Sequence, residues 1–128
     1  MNLVHIWNAQ FAWRALSAFK VSPAFSYRLM TYGEEYDAEM VKADKLRVQV
    51  LYAASGKEVG SDVTLEPGTP EFNDYIVKFN EALNVESVLD VFGMDLPGLI
   101  AEISVKPENA LSKDDMKALE PIFVVAKQ

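Results

Sequence analysis

Cysteine is absent from the 128 residues, so the chain has no disulfide framework, thiol nucleophile or thiolate metal site available to it. Histidine occurs once, at His5. That removes the multi-histidine zinc arrangements and the Cys-His pair, and leaves a Ser-His-Asp triad only one base to draw on. No G-x-S-x-G elbow accompanies His5, which sits in an apolar N-terminal stretch where a structural or surface role is expected. Glycine-rich phosphate loops are missing as well. No G-x-G-x-x-G fingerprint occurs, and Gly56-Lys57-Glu58-Val59-Gly60-Ser61 lacks the spacing and the following helix of a P-loop. No metal, cofactor or catalytic residue is assigned, and an enzyme is not expected.

Positive charge is in short supply. Twelve Lys and Arg against nineteen Asp and Glu leave a formal charge of −7, the reverse of the footprint that a phosphate backbone attracts. Direct nucleic-acid binding is therefore not expected. An acidic surface can imitate nucleic acid in another protein's basic groove, but the same sign also keeps ordinary domains in solution. Uninterrupted apolar runs are missing too: Leu3–Phe19 is broken by His5, Asn8, Gln10 and Arg14 and has no basic leader. It falls short of the roughly 18 to 20 apolar residues that cross a bilayer, so neither a signal peptide nor a membrane span is expected.

Half the residues are apolar and 24% are charged, which suits a single folded domain over residues 1–128. Asn8 is a candidate N-cap for a first helix running to Phe19. Its apolar residues fall in two rows, Ile6, Ala9, Trp13, Leu16 and Trp7, Phe11, Ala15, Phe19, so the helix is either sandwiched in the core or faces a partner. Ser22-Pro23 starts a second helix, because proline in the first turn loses no hydrogen bond. The series Phe25, Leu29, Tyr32, Tyr36, Met40, Ala43, Leu46, Val50, Ala53 then steps by three and four to Gly56. That spacing predicts one long amphipathic helix, with a kink or a close helix contact at Gly33.

Gly56 to Gly68 reads as a loop holding at most a short strand at Val63-Thr64-Leu65. Thr69-Pro70 opens a third helix of about fourteen residues with Phe72, Tyr75, Ile76, Phe79 and Leu83 on one face. Alternation over Val85–Phe92 and over Ala101–Lys106 predicts two strands, paired antiparallel, although Leu96 to Ile100 also suits a helical turn. Ser112-Lys-Asp-Asp115 resembles a capping box and leads to a short helix stopped by Pro121, with Phe123-Val124-Val125 docking as a last extended segment. The fold class is thus mainly helical α+β: a helical hairpin with one long helix, a third packed helix and a small antiparallel sheet.

Carboxylates cluster at Glu34, Glu35, Asp37 and Glu39. Pairs such as Glu39–Lys42 and Asp44–Arg47 make a solvated charged face the simplest account of that cluster. Asp114 and Asp115 suit the positive end of a helix dipole. Aromatic residues are the remaining chemical feature. Trp7, Phe11, Trp13, Phe19, Tyr27, Tyr32 and Tyr36 are the interface candidates where the first two helices meet, and Tyr27, Tyr32 and Tyr36 are also candidates to line a ligand pocket. An anionic ligand would need Arg14, Lys20 and Arg28 to converge.

The helix WNAQFAWRALSAF, the link KVSPAFSYRLM into a charged helix ending at LYAASGKEVG, and the segment PGTPEFNDYIVKFNEALNVESV resemble a group of small phage proteins. These are grouped as a domain of unknown function, DUF1617-like; LSKDDMKALEPI resembles their tails. The resemblance spans Trp7 to Val91 in layout and transfers no active residue. It implies a phage or prophage source and a small accessory protein of the host cytoplasm or the virion. The expected function is protein–protein binding to a phage or host partner, with homo-oligomerisation. The alternative is sequestration of a small molecule or nucleotide in an aromatic pocket between helices.

Overall fold

The structure, a computed structural model, describes residues 1–57 and 63–124. The chain is helical from Leu3, earlier than Asn8 suggests: α1 covers Leu3–Asn8 and α2 covers Gln10–Ser17, joined at Ala9. Asn2 is the N-cap, and its backbone N–H donates to His5 Nδ1 at 3.1 Å. The first N–H groups of a helix lack intrahelical partners. Here Leu3 and Val4 donate theirs to the carbonyls of Val85 and Leu83, each at 3.0 Å, so the chain's start is tied to residues 83–85.

Helix α3 spans Pro23–Ser55 without a break. The Ser22 hydroxyl accepts from the Phe25 N–H, and Gly56 ends the helix in the left-handed region at φ 71°, as the sequence predicts. Its buried stripe is Phe25, Leu29, Tyr32, Tyr36, Glu39 and Ala43. Beyond Ala43 the helix is only half covered. There α4, Pro70–Ala82, packs against it under a Thr69 cap, with Tyr75 stacked on Phe79. Arg47 is hydrogen-bonded to Asp44 at 2.8 Å on the same helix. The hydrogen bond to Asp44 is the main cause that holds the Arg47 guanidinium above its ordinary pKa.

The sheet differs from the antiparallel pair expected over Val85–Phe92 and Ala101–Lys106. Strand β1 is Phe92–Asp95 and β2 is Phe123–Val124, and they pair parallel with Phe92 opposite Phe123. Among the described residues, segment 85–91 forms a single β-bridge, Glu86 with Asn2, flanked by the Leu3 N–H to Val85 carbonyl and Ser87 N–H to Met1 carbonyl hydrogen bonds. The expected alternation survives only over residues 87–90, with Ser87 and Leu89 buried and Val88 and Asp90 exposed; Val85 and Val91 are exposed and Phe92 is buried, against the phase of that pattern. Helix α5, Leu96–Ile103, takes the place of the second strand because Asp95 caps it, accepting from the Gly98 N–H at 2.9 Å, with Pro97 in the first turn. Leu96, Leu99 and Ile103 then step at helical spacing, a stronger signal than three alternating pairs.

Helix α6, Lys113–Leu119, starts at the expected Ser112 cap and passes into a 3₁₀ turn, Glu120–Ile122, at Pro121. Residues 63–66 form no strand. Within the loop expected from Gly56 to Gly68, residues 58–62 lie outside the described residues, as does Val125 of the last segment. The molecule is mainly helical α+β.

Candidate functional site

Helix α3 organises the surface because its inner stripe is core and its flanks are exposed. Trp13 lies against this stripe, its indole stacked on Tyr36 with centroids 5.0 Å apart and tilted on Tyr32 at 5.3 Å. Gly33 faces the same indole, and a Cβ there would stand 3.8 Å from it, an ordinary contact. The close helix contact expected at Gly33 is therefore not one that requires glycine, and α3 runs through this position unbroken. The Tyr36 hydroxyl donates to the Ile6 carbonyl, and the Tyr32 hydroxyl reaches the carbonyl of Asp90 at 3.0 Å. Burial raises both phenols above the ordinary tyrosine pKa, with Glu35 and Asp90 adding to the effect on Tyr32. Trp13, Tyr32 and Tyr36, named above among the interface candidates, are thus core residues, and the hydroxyls of the two tyrosines fasten neighbouring segments.

The other aromatic candidates divide. Trp7 is half-buried edge-on against Phe79, and Phe19 is half-buried at the end of α2. Phe11 and Tyr27 are 71% and 66% exposed. Tyr27 lines a groove of about 740 Å³ between α2 and α3, together with Trp13, Arg14, Met30, Glu34 and Asp37. Arg14 also lies over the Phe11 ring at 5.7 Å, so the exposed Phe11 neighbours the groove's α2 wall without lining it. Met30, 58% exposed, belongs to the lining. Met30 was not singled out from sequence, although its position three residues after Tyr27 puts both on one helical flank.

The three basic candidates do not share one site. Arg14 lines the α2–α3 groove. Arg28 lies over Phe92 at 4.9 Å and lines a cavity of about 280 Å³ with Tyr27, Tyr32, Glu35 and Phe92. Lys20 is in the link before α3, where its backbone N–H and carbonyl are both bonded to the Asn109 side chain.

The acidic cluster also divides. Glu34, Glu35 and Asp37 are exposed, and the expected Asp44–Arg47 pair forms, with Asp44 exposed and Arg47 half-buried. Glu39 does not belong to a solvated face: it is 3% exposed and holds Lys42 Nζ at 3.1 Å. Steps of four, three and four carry the stripe from Tyr32 through Tyr36 and Glu39 to Ala43, which the sequence series routed through Met40 instead. Glu39 is the residue that sequence reasoning missed, and its helical position was the available signal.

Among the described residues, no group of three His, Cys, Asp or Glu side chains is placed to hold a metal ion, and no helix is long and apolar enough to cross a membrane. No family model matches the chain, and no curated protein or solved structure matches it.

Proposed function

We propose that this chain is a non-enzymatic accessory protein of phage or prophage origin that acts by protein–protein binding, through the α2–α3 groove. The source rests on the layout resemblance. The binding role rests on one observation: Tyr27 and Met30 stand exposed in a groove that carries Arg14 on α2 and Glu34 and Asp37 on α3, and the exposed Phe11 lies under that arginine. Exposed aromatic and Met side chains beside an Arg are the composition of interface centres. Opposite charges on the two walls make the patch self-complementary, since a two-fold axis sets Arg14 of one copy against Glu34 and Asp37 of the other. The partner is thus a second copy of the chain, and a phage or host protein that presents the same pattern competes for the groove. The setting is the host cytoplasm or the virion, with no direct role for nucleic acid or membrane.

A charge exchange tests this reading. Arg14→Glu alone and the pair Glu34→Lys, Asp37→Lys alone each place like charges together and should weaken self-association; mixing the two variants should restore it as a heterodimer. All three residues are exposed, so the fold is expected to survive. Association that ignores both variants would place the contact elsewhere.

Nucleotide sequestration is a second reading favoured by one observation, the cavity where Tyr27, Tyr32 and Phe92 surround Arg28. A ligand bound only to the folded chain raises its melting temperature, so a thermal-shift series with nucleotides decides it. The separation of Arg14 from Arg28 and the presence of Glu35 in that cavity weigh against an anion.

A further inference from the structure

A third cavity, of about 310 Å³, lies between α3 and the segment that follows α4. Glu35, Ala38, Glu39 and Lys42 line it from one side, Val88 and Asp90 from the other. Glu39 is 3% exposed, and its two carboxylate oxygens differ. Oε1 accepts from Lys42 Nζ at 3.1 Å, whereas Oε2 has no donor among the described residues. Buried polar atoms are almost always paired, because a carboxylate oxygen stripped of water and given no donor is costly. Packing does not call for it here, since an apolar residue at this point of the stripe would fill the same place.

The surroundings specify a ligand. Glu35, Glu39 and Asp90 against Lys42 give the lining a surplus of two negative charges. The acidic groups are not gathered as a metal ion requires. They are interleaved with alkyl surface, from Ala38 and from Val88, which is 80% exposed. A cation carrying N–H donors on an aliphatic stem fits that combination: the head supplies Oε2 with a charge-assisted hydrogen bond and the stem lies on the valine.

We propose that this cavity binds an alkylammonium or alkylguanidinium group, either the head of a Lys or Arg side chain of another protein or a free polyamine. The site is separate from the α2–α3 groove and does not depend on its reading.

Calorimetric titration of the full chain tests it with three probes: spermidine, acetyl-Gly-Lys-Gly-amide and acetyl-Gly-Arg-Gly-amide. At least one is expected to bind saturably, and Glu39→Gln should weaken that binding about tenfold or more, since it replaces a charged acceptor with an amide. Binding of a peptide without spermidine assigns the group to a protein side chain, and binding of spermidine alone assigns it to a free amine. Because Glu39 is buried, the variant's fold is checked by its melting curve. The double variant Glu35→Gln, Asp90→Asn alters only exposed rim groups and is expected to weaken binding several-fold while leaving the core intact. No saturable binding of any probe, unchanged affinity in folded Glu39→Gln or, should that variant not fold, in the rim variant, or tighter binding of magnesium than of every amine would overturn the proposal.

Discussion

Tyr32 and Tyr36 show how a residue type can be judged by its apolar body and misjudged by its tip. Both are legible as helical-stripe residues, and their spacing favours the core while their polar tips leave an interface open. The structure places them inside because each hydroxyl finds a backbone carbonyl from another segment, Ile6 for Tyr36 and Asp90 for Tyr32. No local pattern encodes those long-range acceptors. Burial raises both phenols, so the folded chain resists ionising them while the unfolded chain ionises near the ordinary value of 10.0. Their contribution is fully present below that value and is lost as pH rises above it. Denaturant midpoints measured from pH 7 to 11 should be level at first and then fall through the alkaline range. Tyr32→Phe and Tyr36→Phe should each lower stability by about 1 kcal/mol at neutral pH through the lost hydrogen bond, and should flatten the alkaline fall. An unchanged alkaline slope would contradict this account.

At the scale of elements, starts and stops were the most legible features. Ser22-Pro23, Thr69-Pro70, Ser112 and Gly56 all stand where their chemistry puts them, because caps act within one turn and need no tertiary context. Thr69→Ala should accordingly cost about 1 kcal/mol in equilibrium unfolding, as the Phe72 N–H loses its acceptor. Gly33 leads to the opposite sign. Helix α3 is unbroken there, and a methyl group would meet Trp13 at ordinary distance, so Gly33→Ala should stabilise the chain by about 0.5–1 kcal/mol. A loss of stability would mean that the Trp13 contact is tighter than 3.8 Å implies. The second strand failed as an expectation for a physical reason. Three alternating pairs over Ala101–Lys106 looked like a pleat, but Asp95 and Pro97 had already committed the chain to a helix upstream.

On the scale of the whole molecule, the sequence carried the helical class and the long spine but not the closure. Strand β2 reaches β1 only after two intervening helices, and the first turn of α1 is capped by carbonyls from the far side of α4, relations that no periodicity records. The same holds for the surface. Periodicity named the aromatic residues, and only the packed structure separates the core set, Trp13, Tyr32 and Tyr36, from the exposed set, Phe11 and Tyr27. The central claim is that this exposed set, with Met30 and the opposed charges of Arg14, Glu34 and Asp37, forms a self-complementary interface. Light scattering coupled to size exclusion, run as a concentration series, tests it most directly. The account predicts a mass that rises from 14.3 kDa toward twice that value, and a Phe11→Glu, Tyr27→Glu variant that keeps its fold and stays at the monomer mass. A wild-type chain that remains monomeric across the series, or a double variant that still doubles its mass, would contradict it.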